Sequence, residues 1–200
     1  MTLKLTKNEL RIQQNQLTLF RRYLPTLQLK KAMLQFEVIQ ATAEVALRKE
    51  EFAASRKIVE EFSPLLAKET GCDPLRYAEI VHLKKHYENI AGVEIPLYDK
   101  IVFFEIDYFL SDTPVWVDRA VELLREFVEY REKLHIAEEK KRALEKELKE
   151  VSIRVNLFEK ILIPRAGTNI KKIRVFLGDQ QLASVAQAKV AKQKIKMAKQ

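Results

Sequence analysis

Residues 10–62, LRIQQNQLTLFRRYLPTLQLKKAMLQFEVIQATAEVALRKEEFAASRKIVEEF, carry a repeat of seven that decides the fold. One column reads Leu10, Leu17, Leu24, Lys31, Val38, Val45, Phe52 and Val59, and the column three residues on reads Gln13, Phe20, Leu27, Leu34, Ala41, Arg48, Ser55 and Phe62. Three quarters of these positions are apolar. A period of 3.5 held this long predicts a helix supercoiled on a partner, because a straight helix of period 3.6 would rotate its stripe off the seam. Such a helix is about 80 Å long at 1.5 Å per residue. Pro25 predicts a kink or a fresh start at Thr26, and Ser63-Pro64 predicts the end, since a residue before proline avoids the helical region.

A second repeat follows Ser111-Asp112-Thr113-Pro114, with Thr113 as N-cap and Pro114 at the first helical position. Its columns read Ala120, Phe127, Leu134, Lys141, Leu148, Val155, Leu162 and Leu123, Tyr130, Ala137, Leu144, Val151, Phe158, Arg165. The two repeats need each other. A connection of about 50 residues between two long helices predicts an antiparallel pair with both termini at one end. The expected fold is mainly α: a long antiparallel two-helix coiled coil with a small central cap containing short strands or a hairpin. Its parts are an N-terminal coiled-coil helix over 1–62, a cap over 63–112, and a C-terminal coiled-coil helix with a basic tail over 113–200. The core candidates are Leu10, Leu17, Leu24, Leu27, Leu34, Val38, Val45, Leu144, Leu148, Val151, Val155, Phe158 and Leu162.

Pro164 is expected to bend or break the second helix, with Gly167-Thr168-Asn169 weakening the next turn. The apolar series resumes at Ile170, Ile173, Phe176 and Leu177 and fades after Gly178. In the cap, Gly71-Cys72-Asp73-Pro74 and Ala91-Gly92 are turn signals, and Val93-Glu94-Ile95 and Ile101 to Leu110 are rich in β-branched and aromatic residues, which predicts a hairpin turning near Gly92.

Composition agrees with long helices: 200 residues contain 4 Gly and 6 Pro, with 32% charged and 47% hydrophobic. No stretch approaches the roughly 18 apolar residues of a membrane span, and no apolar leader opens the chain, so a cytoplasmic location is expected. Cys72 is the single cysteine, which excludes an intrachain disulfide. The net charge of +8 is unevenly spread: residues 1–35 carry +6, 36–159 carry −7 and 160–200 carry +9. If the ends meet, a basic tip stands on an acidic body, suited to an acidic socket or to a nucleic acid.

His82 and His86 have the spacing that puts two imidazoles on one helical face, with Glu79 before them, but Leu83 stands where a metalloprotease needs Glu. His135 is remote from Cys72, so nucleophilic catalysis has no local support. Ala166-Gly167-Thr168-Asn169 has one glycine and no lysine, so no phosphate-cradling loop is expected. The tail lysines Lys189, Lys192, Lys194, Lys196 and Lys199 offer phosphates only sequence-independent attraction and no aromatic for stacking. Arg154, Asn156 and Arg165 fall near or on the seam, where polar groups set register or meet a surrounding protein.

The stretch Arg154-Val155-Asn156-Leu157-Phe158-Glu159-Lys160-Ile161-Leu162-Ile163-Pro164-Arg165 resembles the RVNxLExxLIPR signature of the D-subunit of V-type and archaeal-type ATPases. Thr6-Lys7 followed by Leu10 is similar to the TKxxL opening of that family, Leu29-Lys30-Lys31 to its LLK segment, and Ala91-Gly92-Val93-Glu94-Ile95-Pro96 to its central AGVxxP turn. The resemblance implies a central rotor shaft that couples ATP hydrolysis or synthesis to ion translocation, with no catalytic site, cofactor, metal or small-molecule substrate of its own. Its implied partners are the catalytic and regulatory ring subunits, the F-subunit and the membrane-ring adaptor subunit, which hold it at the cytoplasmic face of a membrane. Thr6, Lys7, Lys30, Arg154, Asn156, Pro164 and Arg165 are the implied motif and partner-contact residues. A coiled-coil scaffold of another kind, or a basic nucleic-acid-binding helical protein, are the alternatives that the heptads and the charge leave open.

Overall fold

A computed structural model describes residues 3–66, 74–107 and 113–198. The elements are helix α1 (Lys7–Leu66), strands β1 (Ile80–Ile90) and β2 (Val93–Phe103), helix α2 (Trp116–Leu157), a π-helical turn (Phe158–Leu162) and helix α3 (Ile163–Ala198). Packing divides the chain into a terminal unit, residues 1–31 with 150–200, and a hairpin unit, residues 32–149. The turn expected at Gly71-Cys72-Asp73 and the stretch 108–112 lie outside the described residues.

Helix α1 starts on Thr6, whose Oγ1 accepts from the Glu9 amide at 3.3 Å while its carbonyl accepts from the Leu10 amide at 3.0 Å. It then passes both prolines. Pro25 does not start a new segment: the lost donor costs about 3 kcal/mol at most sites, but Leu24 and Leu27 are drawn toward the seam on either side, and Thr26 Oγ1 donates to the Tyr23 carbonyl at 2.8 Å. Nor does Ser63-Pro64 end the helix, which runs on to Leu66. A proline has a helical φ of its own, and half-buried Leu65 and Leu66 hold the last turn in place.

Within the hairpin unit the seam buries Leu34, Ala41, Val45 and Ser55 of α1 and Leu123, Ala137 and Leu144 of α2. Phe52 stacks on Phe127 with centroids 5.1 Å apart, and Lys140 reaches Glu44 at 2.9 Å. Partners rise in number on one helix as they fall on the other, so the pair is antiparallel. Helix α2 opens at Trp116, two residues beyond the expected Pro114; the Pro114 carbonyl instead accepts from the Val117 amide at 3.0 Å.

Strands β1 and β2 pair antiparallel from Ile80↔Phe103 to Ile90↔Val93. At 11 residues each they are longer than the short strands expected. Ala91 and Gly92 both have positive φ, 53° and 82°, the requirement of a type I′ turn, and Asn89 Oδ1 accepts from the Gly92 amide at 2.9 Å. The helical reading of His82 and His86 fails, because both lie on β1. Four residues along a strand span about 13 Å, too far for one metal ion.

Candidate partner interface

The motif residues Thr6, Lys7, Lys30, Arg154, Asn156, Pro164 and Arg165 all fall in the terminal unit. Thr6 caps α1, so the opening motif is a helix-start device. Lys7 is exposed and Lys30 half-buried. Arg154, Asn156, Pro164 and Arg165 are all exposed, and Arg154 Nη2 lies 3.4 Å from Glu150 on its own helix. In this unit the seam holds buried Val151, Val155, Ala166, Ile170 and Ile173, with Phe158 and Leu162 half-buried. Leu10, Leu17, Leu24 and Leu27 are half-buried opposite them, and Phe20 meets Phe158 edge to face at 5.4 Å.

Arg165 does not take the seam place that its column predicts. Seven residues after Val151 stands Phe158, but the next inward position is Ala166, eight residues on, and then Ile173 after seven; the other column runs Val155, Leu162, Ile170, Leu177 with the same single step of eight. The surplus residue is taken up by the π-helical turn, where the Ile163 amide donates to the Phe158 carbonyl, five residues back. Pro164 follows at once. Having no N–H, it leaves a carbonyl unpaired in any case, which makes this the cheapest place for the irregularity, and the helix runs on unbroken through Pro164 and Gly167. Thr168 Oγ1 donates to the Pro164 carbonyl at 3.0 Å.

Two features follow on the surface of the terminal unit. Ile153, Leu157 and Ile161 form an exposed apolar row at spacings of four, with Arg154, Lys160 and Arg165 beside it. A groove of about 800 Å³ is lined by Lys4, Glu9 and Gln13 from the start of the chain, by Arg165, Asn169 and Lys172 of α3, and by Phe20, Leu162 and Ala166. Sequence reading missed the apolar row because the seam claims attention first; Ile153, Leu157 and Ile161, apolar residues at steps of four off the seam columns, were its available signal.

The hairpin unit uses polar groups differently. Arg125 donates to the Tyr77 carbonyl at 2.9 Å and to the Phe104 carbonyl at 2.6 Å, and its guanidinium lies over the Phe103 ring. Tyr77 also hydrogen-bonds Asp107 and packs with Val117 and Val121. Lys85 reaches Glu139 at 3.1 Å. The Tyr98 hydroxyl donates to Glu129 at 3.0 Å, and Lys133 meets the same carboxylate at 2.7 Å. Burial, then the hydrogen bond and charge of Glu129, push the Tyr98 phenol up to about 12. Burial alone would raise Glu129, but the hydrogen bonds from Lys133 and Tyr98 outweigh it and hold the carboxyl below its ordinary value. Lys85 and Tyr98 tie the strands to α2, and Arg125 ties α2 to the segments that flank their outer ends. Among the described residues no group of His, Cys, Asp and Glu is placed to hold a metal ion.

The family model for the D-subunit of ATP synthase matches residues 9–193. The chain belongs to the ATP synthase D-subunit family. The V-type ATP synthase D-subunit of Chlamydia caviae is 43% identical over 199 residues, covering 99% of this chain and 96% of its own length. That of Chlamydia abortus is 44% identical over 198 residues, covering 98% and 95%. That of Borreliella burgdorferi is 38% identical over 190 residues, covering 95% and 93%. The chain is therefore a subunit of a V-type ATPase and works with other subunits of that membrane-associated complex. No helix among its described residues is long and apolar enough to cross a membrane.

Proposed function

We infer that the chain is the central rotor shaft of its ATPase, a non-catalytic subunit that couples ATP hydrolysis or synthesis in the catalytic ring to rotation of the membrane ring. The observation that carries this reading is the pairing of a heptad seam with an outer face of apolar and basic side chains on the same helices of the terminal unit. A packed pair of helices resists twist better than either helix alone, and two unlike helices give each surrounding interface a different surface. Each surface favours a different nucleotide state, so turning the shaft exchanges differential contact energies among the interfaces.

The terminal unit holds eighteen Lys and Arg against four Asp and Glu, a formal +14, and the hairpin unit eighteen against twenty-four, a formal −6. That division supports a terminal unit set among the catalytic and regulatory ring subunits through salt-screened attraction, and a hairpin unit that meets the F-subunit and the membrane-ring adaptor at the cytoplasmic face. The test is reconstitution of the complex with and without this chain, reading ATP turnover and ion transport together. Transport per ATP should vanish when the chain is omitted and return when it is restored. Transport that persists without it ends the reading.

A further inference from the structure

The C-terminal strand of the seam is one residue longer than its partner requires. In the terminal unit α1 turns Leu10, Gln13, Leu17, Phe20, Leu24, Leu27 and Lys31 away from solvent in an unbroken alternation of three and four. Opposite it, the alternation breaks once, at the π-helical turn. A C-terminal strand lacking Lys160 would place Ala166 seven after Phe158 and Ile170 seven after Ile163, which would take the seam place of Leu162, and an apolar seam would still close in unbroken alternation. Seam packing therefore does not account for the turn, which weakens backbone bonding beside a proline.

What the extra residue changes is the outer surface. It widens the helix, leaves Glu159, Lys160 and Ile161 exposed, and shifts the phase so that Arg165 points outward instead of into the seam. The result is a local bulge bearing Leu157 and Ile161, edged by Arg154, Lys160 and Arg165, on one helix of the pair. We propose that this π-helical turn is a docking knob that seats in an apolar socket rimmed with carboxylates on a neighbouring subunit of the ATPase, with Pro164 fixing its position. Charge complementarity selects the rim: the knob belongs to the strongly basic unit, and three cations border its apolar crown. This deepens the shaft reading and rests on it.

Two variants of the full chain test the proposal in the reconstituted complex. Deletion of Lys160 removes the surplus residue, so the melting temperature of the isolated chain should hold or rise while affinity for the rest of the complex falls about tenfold, as on loss of an interface hot spot. Ile161→Ser, at a site already 53% exposed, should leave melting unchanged and weaken assembly to a similar degree. Undiminished affinity in either variant overturns the knob, as does a lower melting temperature in the deletion variant, because the extra residue would then be serving the seam. A wild-type chain that binds the complex but supports no coupled transport would sink the shaft reading instead.

Discussion

The hairpin unit and the terminal unit share one seam pattern and use their charges in opposite ways. In the hairpin unit charged side chains reach across elements: Lys49 to Glu138 at 3.2 Å, Lys140 to Glu44 at 2.9 Å, Lys85 to Glu139 at 3.1 Å. In the terminal unit the helices meet through Phe20 on Phe158 and a long contact of 3.4 Å between Asn169 and Gln13, while Arg154, Lys160 and Arg165 stand outward. Opposite charges within reach of one another fasten a structure to itself. Charges of one sign in excess leave it ready for a partner.

The harshest test of that contrast is Leu144→Asp, which buries a carboxylate at a fully buried seam position of the hairpin unit. It should cost on the order of 4 kcal/mol or more and reduce helicity, read by circular dichroism and urea unfolding. Next is Ile173→Ala in the terminal unit, also fully buried, with an expected loss of about 2–4 kcal/mol. If the units differ as described, this second variant should raise amide exchange in the terminal helices and spare the hairpin; uniform exchange would show that the two unfold as one.

Arg125→Met removes two donors to the Tyr77 and Phe104 carbonyls and should cost about 1–3 kcal/mol, with amide protection lost along Glu79 to Phe104. Undisturbed protection would mean that the strands hold without the clamp. The Tyr98–Glu129 pair adds a pH signature. Glu129 is depressed in the folded state, so its contribution is present above the ordinary carboxylate value and fades as acid takes the pH down through the folded value. Tyr98 is raised, so its contribution is complete below about 10 and is lost as the pH climbs to about 12. Glu129→Gln should bring the phenol down toward its usual value, seen in the ultraviolet titration of tyrosinate; an unmoved titration would leave burial as the whole cause. Lys140→Ala is the mildest change, within about 1 kcal/mol and smaller still in high salt, because Glu44 keeps access to water.

The seam was legible because a repeat of seven is written in neighbouring residues, and Leu34, Val45, Leu144, Val151 and Val155 of its columns are buried. The hairpin turn was legible in Gly92, since so few residues other than glycine accept positive φ; that Ala91 takes one as well, making the turn type I′, was not. Strand β1 was hidden. Lys84, Lys85 and His86 interrupt any alternation, and register shifts at Ile80/His82 and Lys84/Lys85 exchange its faces. The prolines misled in a consistent direction, because a local penalty at Pro25, Pro64 and Pro164 is smaller than the packing that carries the helix across it.

Periodicity and composition, being local properties of the chain, were enough to establish that two long helices pair antiparallel around an apolar stripe and that the basic residues gather toward both ends. The folded molecule was needed to settle that the surplus residue opens a π-helical turn ahead of Pro164, that Arg165 faces out while Ala166 faces in, and that Tyr98 finds Glu129 and Lys140 finds Glu44, 31 and 96 residues away. Those outcomes depend on which side chains a partner element presents at a given height along the seam, and no window of neighbouring residues contains that distance.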